Sequence, residues 1–234
     1  RLNVLNGRTS VVVRAPEARA RFVLDREGNV RLSVAWRSDG SQVIHSRPAR
    51  GGEWSLVHDE QDAGHQLWPL FFEADGETVV VSRQQPEGAD RLYRWQLQSG
   101  SKERIEGYAS AADPGAVHYG IDRRAAYAVQ HEPGVPALFH FDPEARESRL
   151  ARALGNAFPD QFAWITSFTR DGKQALVQVR SDRNPGEFYL FDLDTMQASY
   201  LGSSRDWIEP EEQAPTRVVE IPAQDGTRLP GYLI

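Results

Sequence analysis

Residues 162–202 read FAWITSFTRDGKQALVQVRSDRNPGEFYLFDLDTMQASYLG, and the fold is decided in this stretch. A strand through residues 165–169 meets an Asp171-Gly172 turn. An alternating run from Gln174 to Arg180 follows, then a polar loop at residues 181–187. Residues 188–192 and 198–201 supply two more short strands, separated by a bend at Asp194-Thr195. Short segments, period-two alternation and turn residues at Asp-Gly and Asn-Pro-Gly favour an antiparallel four-stranded meander over a helix.

The same template recurs upstream. One copy takes strands 22–24, 31–36, 42–46 and 54–58, with turns at Gly28-Asn29 and Asp39-Gly40. The next takes 67–73, 78–83, 92–97 and 102–105, with turns at Asp75-Gly76 and Ser99-Gly100. A third takes 117–121, 125–131, 137–141 and 148–150, with turns at Asp122-Arg123 and Asp142-Pro143. Residues 1–14 read as strand, Asn6-Gly7 turn and strand, the outer half of a preceding repeat. The spacing from turn to aromatic third strand is nearly constant: 18 positions from Asp75 to Tyr93, 17 from Asp122 to Phe139 and 18 from Asp171 to Tyr189. From turn to turn, the steps are 36, 47 and 49 residues. A propeller blade needs about 40–50 residues for four antiparallel strands. The expected fold is therefore all-β, a β-propeller with about four complete blades plus part of another. Aromatic and β-branched residues in the third strands (Tyr93, Trp95, Phe139, Phe141, Tyr189, Phe191) are then packing between blades rather than a ligand box.

Composition limits the function classes. The 234 residues are 40% hydrophobic and 26% charged, carry a formal charge of −6 and include no Cys. That size buries a sizeable core, and without thiols there are neither disulfides nor thiolate metal sites, which suits cytoplasm and periplasm alike. An acidic balance with scattered Arg and no basic stripe argues against nucleic acid. No apolar run reaches the roughly 20 residues of a membrane helix. The chain opens at Arg1 without Met and in mid-strand style, so the natural start is expected further upstream.

After Gly202 the texture changes. Residues 203–216, SSRDWIEPEEQAPT, are polar and punctuated by Pro210 and Pro215, and read as a linker. Residues 217–222 and 229–234 make two strands around Asp225-Gly226 that belong to no blade. The expected domains are 1–202, the propeller; 203–216, the linker; and 217–234, the beginning of a further domain.

This junction, TRVVEIPAQDGTRLPGYLI, resembles the entry into the catalytic domain of the prolyl oligopeptidase family of serine peptidases (family S9, which includes dipeptidyl and acylaminoacyl peptidases). The resemblance rests on residues 218–221, Asp225-Gly226, Leu229 and Gly231-Tyr232-Leu233. It is shared by the SDRNPG segment at 181–186 before FYLFD at 188–192, and by the Asp25, Gly28, Arg31 pattern with Trp54. The resemblance implies a propeller that caps an α/β-hydrolase domain, with peptides reaching a Ser/Asp/His triad between the two. Its nucleophile would sit in G-x-S-x-G. No such pentapeptide occurs in these residues, so no catalytic residue can be assigned to them. The expected partners are a peptide substrate and the α/β-hydrolase domain, with no nucleic acid and no membrane.

The remaining chemistry lies in loops. The six His, at 45, 58, 65, 118, 131 and 140, show no helical i, i+4 pair, so no metal and no cofactor are expected. Glu211-Glu212 is a pair of acids in the linker and reads as a solvated run. In a meander the loop between second and third strands lies at the end where the fourth strand finishes, and the last fourth strand feeds the linker. Loop 181–187 and its counterparts at 47–53, 84–90 and 132–136 should therefore face the following domain. They carry Arg47, Arg50, Arg83, Arg91 and Arg183, guanidinium groups able to hold peptide carbonyls or a carboxylate in bidentate fashion. Arg183, Asp182, Arg83 and Arg91 are the candidates for substrate binding or interdomain contact. Pairing with acids at the interface, or plain solvation, is the competing reading of each. Two functions stay open: the gating, substrate-filtering propeller of an S9-type serine peptidase, or a non-catalytic propeller that binds a protein or peptide.

Overall fold

The computed structural model describes residues 2–108, 112–132 and 134–234. Arg1 and Pro133, placed by the sequence reading in the opening strand and in a loop, lie outside the described residues. The chain forms two compact units, residues 1–108 and 109–234.

The first unit holds two four-stranded antiparallel sheets, each in plain chain order. Sheet I comprises β1 (Arg21–Leu24), β2 (Val30–Trp36), β3 (Gln42–Ser46) and β4 (Ser55–Asp59). A one-turn helix, α1 (Glu60–Ala63), then leads into sheet II: β5 (Leu67–Phe72), β6 (Thr78–Arg83), β7 (Arg91–Gln96) and β8 (Lys102–Arg104). Asp59 caps α1 by accepting from the Gln61 N–H at 3.0 Å, and Gly64 ends it at φ 70°. Leu32, Val34 and Ile44 of sheet I pack with Leu67, Phe72, Val79, Val81 and Trp95 of sheet II in one core cluster. Burial of both faces is what a propeller blade demands of its central strands, and β2 and β6 are buried along nearly their whole length. Arg31 is a polar tie across this core. At 3% exposure it donates to the carbonyls of Arg47 (3.0 Å) and Gly76 and to Glu77 Oε1 (3.1 Å), with Asp25 at 3.7 Å.

In the second unit, sheet III has three strands, β9 (Val117–Tyr119), β10 (Ala126–His131) and β11 (Ala137–His140). Helix α2 (Arg146–Ala157) follows. Sheet IV is again four-stranded, with β12 (Phe162–Phe168), β13 (Gln174–Arg180), β14 (Glu187–Asp192) and β15 (Gln197–Ser203) in order. A separate hairpin, β16 (Arg217–Pro222) and β17 (Arg228–Leu233), ends the chain.

The fold is thus built of propeller blades, with two differences from the sequence expectation. The strand expected at 148–150 is part of α2. Leu150 and Leu154, four residues apart, enter the core of sheet IV, while Ala151 packs with Tyr127 and Ala128 of sheet III. A three-residue strand could bury one face only; the helix fills the space against both sheets. Among the described residues, 2–14 form no strand pair of blade type. Leu2 and Thr9 make an isolated bridge around the Asn6-Gly7 turn, and Val11 and Val12 stay 75% and 64% exposed. The turn is formed because Asn3 and Asn6 accept locally, and among the described residues none of the five sheets includes a strand from residues 2–14. The complete blades among the described residues are therefore three, with a three-stranded fourth supplemented by a helix.

The Asp-Gly turns follow one design. Asp75 accepts from the N–H groups of Glu77 and Thr78 at 2.9 and 2.8 Å, Asp171 from Lys173 at 3.1 Å and Asp39 from Ser41 at 2.9 Å. The following glycine takes a positive φ, +67° at Gly76, +70° at Gly172 and +87° at Gly40. In the third copy Arg123 occupies that position at φ +53°.

Candidate functional site

A cleft of about 930 Å³ opens in the second unit. One wall is the β10–β11 loop, with Gly134, Val135 and Pro136; another is the turn after α2, with Pro159, Asp160, Gln161 and Phe162. The β13–β14 connection contributes Arg180 through Asn184 and Glu187. The linker and hairpin complete it with Pro210, Glu211, Pro215, Thr216, Val218 and Tyr232.

The β13–β14 loop is shaped from within. Ser181 Oγ accepts from the Arg183 and Asn184 N–H groups at 3.2 and 3.0 Å, and Asn184 Oδ1 accepts from Gly186 N–H at 2.9 Å. Asn184 is 7% exposed and its amide donates to Gln161 Oε1 at 2.8 Å, which ties the loop to the turn after α2. Gly186, at φ +126°, lets Ser204 approach closely: a Cβ there would meet Ser204 Oγ at 3.0 Å. This local bonding presents Asp182 and Arg183 outward.

The loop then holds the chain that follows the blades. Asp182 Oδ2 accepts from the Thr216 N–H, and the Tyr232 hydroxyl accepts from the Gly134 N–H at 3.1 Å. Parts of two of the loops expected to face the following domain, residues 134–136 and residues 181–184 with Glu187, line one cleft with the linker and hairpin. Arg183 is exposed, and no ion pair engages its guanidinium among the described residues. Arg180 stands over the Trp164 ring at 4.8 Å. Among the carboxylates, Glu187 accepts from the Tyr189 hydroxyl at 2.9 Å; burial and then this carboxylate push the phenol up to about 12.

Arg83 and Arg91 belong to the first unit and are not lining residues of this cleft. They face each other across β6 and β7, with Arg83 over the Tyr93 ring at 5.2 Å and Arg91 donating to the Ala89 carbonyl at 2.9 Å. Arg47 stands over the Trp54 ring at 5.5 Å, and Arg50 is exposed. These contacts of Arg47, Arg83 and Arg91 are made within their own blades. The residues missed by sequence reasoning are Arg180, Asp160, Gln161, Phe162 and Thr216. Arg180 read there as a strand end and Phe162 lay ahead of the strand expected at 165–169; only register shows that they pair, Phe162 opposite Arg180, at the same end of sheet IV. Among the described residues, no group of three or more His, Asp or Glu is placed to hold a metal ion, and no helix is long and apolar enough to cross a membrane.

No protein-family model matches the chain, and no curated protein sequence does. Solved structures do. A puromycin hydrolase structure superposes with a TM-score of 0.54 at 16% identity, over 90% of this chain and 32% of its own. A puromycin hydrolase variant complexed with PGG gives 0.53 at 17% identity, with the same coverage. Prolyl oligopeptidase B from Galerina marginata, bound to a 35mer hydrolysis and macrocyclization substrate, gives 0.53 at 11% identity over 91% of this chain and 30% of its own. The fold is that of prolyl oligopeptidase-type chains. The chain spans about a third of the length of these structures. The likeness is one of fold, in agreement with the resemblance read from the junction and the SDRNPG segment.

Proposed function

We propose that the chain is the gating, substrate-filtering propeller of an S9-type serine peptidase that hydrolyses peptides. In this reading residues 1–202 are the propeller, 203–216 the linker and 217–234 the beginning of the α/β-hydrolase domain, which would supply Ser, His, Asp and the oxyanion hole. The observation that carries it is the cleft where loops 134–136 and 180–187 meet the linker and hairpin: the blade loops are held against the segment that leads onward. The prolyl oligopeptidase-type fold of 90% of the chain supports the same reading. Arg183, with its uncommitted guanidinium in the cleft, would hold a peptide carbonyl or carboxylate; Asp182 would hold the linker. Arg83 and Arg91, committed to their own blade, would serve there as packing or interdomain contacts.

The test uses the full-length protein. A serine-directed fluorophosphonate should label it, and it should hydrolyse short peptides but not folded proteins. Arg183→Ala should lower kcat/KM on peptides about tenfold while leaving labelling of the nucleophile intact. Absence of both labelling and hydrolysis would favour a non-catalytic binding module.

A further inference from the structure

The linker is hydrogen-bonded at both ends to one loop, and among the described residues no hydrogen bond fastens it to the blades between those ends. At its start, the Ser204 N–H donates to the Gly186 carbonyl at 2.7 Å, and the Ser203 hydroxyl reaches the same carbonyl at 3.4 Å. At its end the Thr216 N–H donates to Asp182 Oδ2. Gly186 and Asp182 lie four residues apart in the β13–β14 loop, so residues 204–216 form a closed Ω-shaped strap. The hydrogen bonds of residues 205–215 among the described residues are local: Ile208 N–H to Arg205, Glu212 N–H to Glu209, Gln213 N–H to Pro210, and Arg205 N–H to Ser203 Oγ. None of these residues is buried, and Trp207 is 74% exposed. Yet Pro210, Glu211 and Pro215 form part of the cleft wall.

We propose that residues 204–216 are a lid over the cleft, pivoting at Ser204 on Gly186 and latched by Asp182 on the Thr216 N–H, with Tyr232 on Gly134 as a second latch behind it. A segment with few buried contacts and only end attachments is what opens at low cost while the blade beneath stays folded. The two attachments differ in kind. The pivot continues the β14–β15 ladder, in which Glu187 pairs with Ser203, whereas the latch is a single side-chain bond at the surface. Pro210 and Pro215 limit the backbone freedom of the strap, so it moves as a stiff piece. The inference concerns access to the cleft and does not depend on which reaction the whole protein carries out.

The experiment is hydrogen–deuterium exchange on the full-length protein and its Asp182→Ala variant, with maleimide labelling of a single cysteine introduced at Pro159 in the cleft wall. Residues 1–234 contain no Cys, and any Cys elsewhere in the full-length protein is replaced by Ser before labelling. Asp182→Ala should raise exchange across 205–216 about tenfold and speed labelling at position 159 severalfold, with β12–β14 unchanged. Asp182→Asn, whose amide oxygen still accepts, should fall between. Adding Tyr232→Phe to Asp182→Ala should raise both signals further. Unchanged strap exchange in the double variant would overturn the latch. Faster exchange spreading through β13 and β14 would also overturn it, because Asp182 would then be supporting the blade rather than holding a lid. Faster strap exchange without faster labelling would show that the strap does not control the cleft.

Discussion

The Tyr232 hydroxyl accepts from the Gly134 N–H at 3.1 Å, joining the terminal hairpin to the β10–β11 loop across 98 positions of sequence. Val218 supports this contact from the opposite strand: it pairs with Tyr232 in the hairpin, and its Cγ2 lies 3.7 Å from where a Cβ on Gly134 would be. Tyr232→Phe should cost about 1 kcal/mol or less, since one exposed hydrogen bond is lost and no buried group is orphaned. Its mark should be local, a rise of several-fold in exchange at the Gly134 amide and in the hairpin, with the thermal midpoint of the blades unchanged.

Arg31 should be the most sensitive polar residue of the first unit. Its guanidinium is buried and distributed over Arg47, Gly76, Glu77 and Asp25, and Asp25 is itself only 7% exposed. Arg31→Met should cost about 3–5 kcal/mol by stranding a buried carboxylate and two carbonyls. Arg31→Lys should recover only part, because an ammonium cannot reproduce the fork. Urea denaturation of the full-length protein and the two variants measures this; equal midpoints for Arg31→Met and the parent would remove Arg31 from the account of the core.

Arg123 offers the opposite sign. It sits at φ +53° where the three other blade turns have glycine, and its side chain is exposed. Arg123→Gly should stabilise by roughly 0.5 kcal/mol, the relief of left-handed strain less the added freedom of glycine in the unfolded chain. The same change at an exposed position with negative φ should destabilise, which makes the pair of midpoints a direct check.

His58 predicts a pH dependence. Burial, and then the neighbouring His65, hold it down to about 4 from an ordinary 6.5, and its Nε2 donates to the His65 carbonyl at 3.0 Å. Above pH 6.5 the ring is neutral folded or unfolded and contributes nothing. As pH falls from 6.5 towards 4 only the unfolded chain takes the proton, so stability is lost across that window and levels off below it, by at most about 3 kcal/mol. His45, His65, His118 and His140 are lowered in the same direction by burial and add to the slope. His58→Gln keeps a donor for the carbonyl and should flatten the loss between pH 6.5 and 4; an unaltered slope would assign the proton uptake elsewhere.

The blades were legible in the sequence where each local signal agreed with the next. Asp171-Gly172 names its turn by chemistry, and Gln174 to Arg180 alternates over seven residues, long enough to fix a strand and its two faces. Residues 148–150 were not legible in that way. Three residues cannot distinguish period two from period 3.6, and the deciding contacts of Leu150, Ala151 and Leu154 come from two different sheets. Residues 1–14 carry a real turn and apolar residues on either side of it, but strand formation there requires a neighbour to pair with.

The candidate site divides along the same line. Its β13–β14 loop, with Asp182 and Arg183, was readable because Ser181, Asn184 and Gly186 bond within a few residues of themselves, and local bonding is written in local sequence. The cleft around that loop was not. Gln161 meeting Asn184, Thr216 meeting Asp182 and Tyr232 meeting Gly134 are contacts between 23 and 98 residues apart. The sequence alone determined blades, turns and the loop that would project; folding decided that the linker returns to that loop, because only packing brings the two ends of the strap onto one surface.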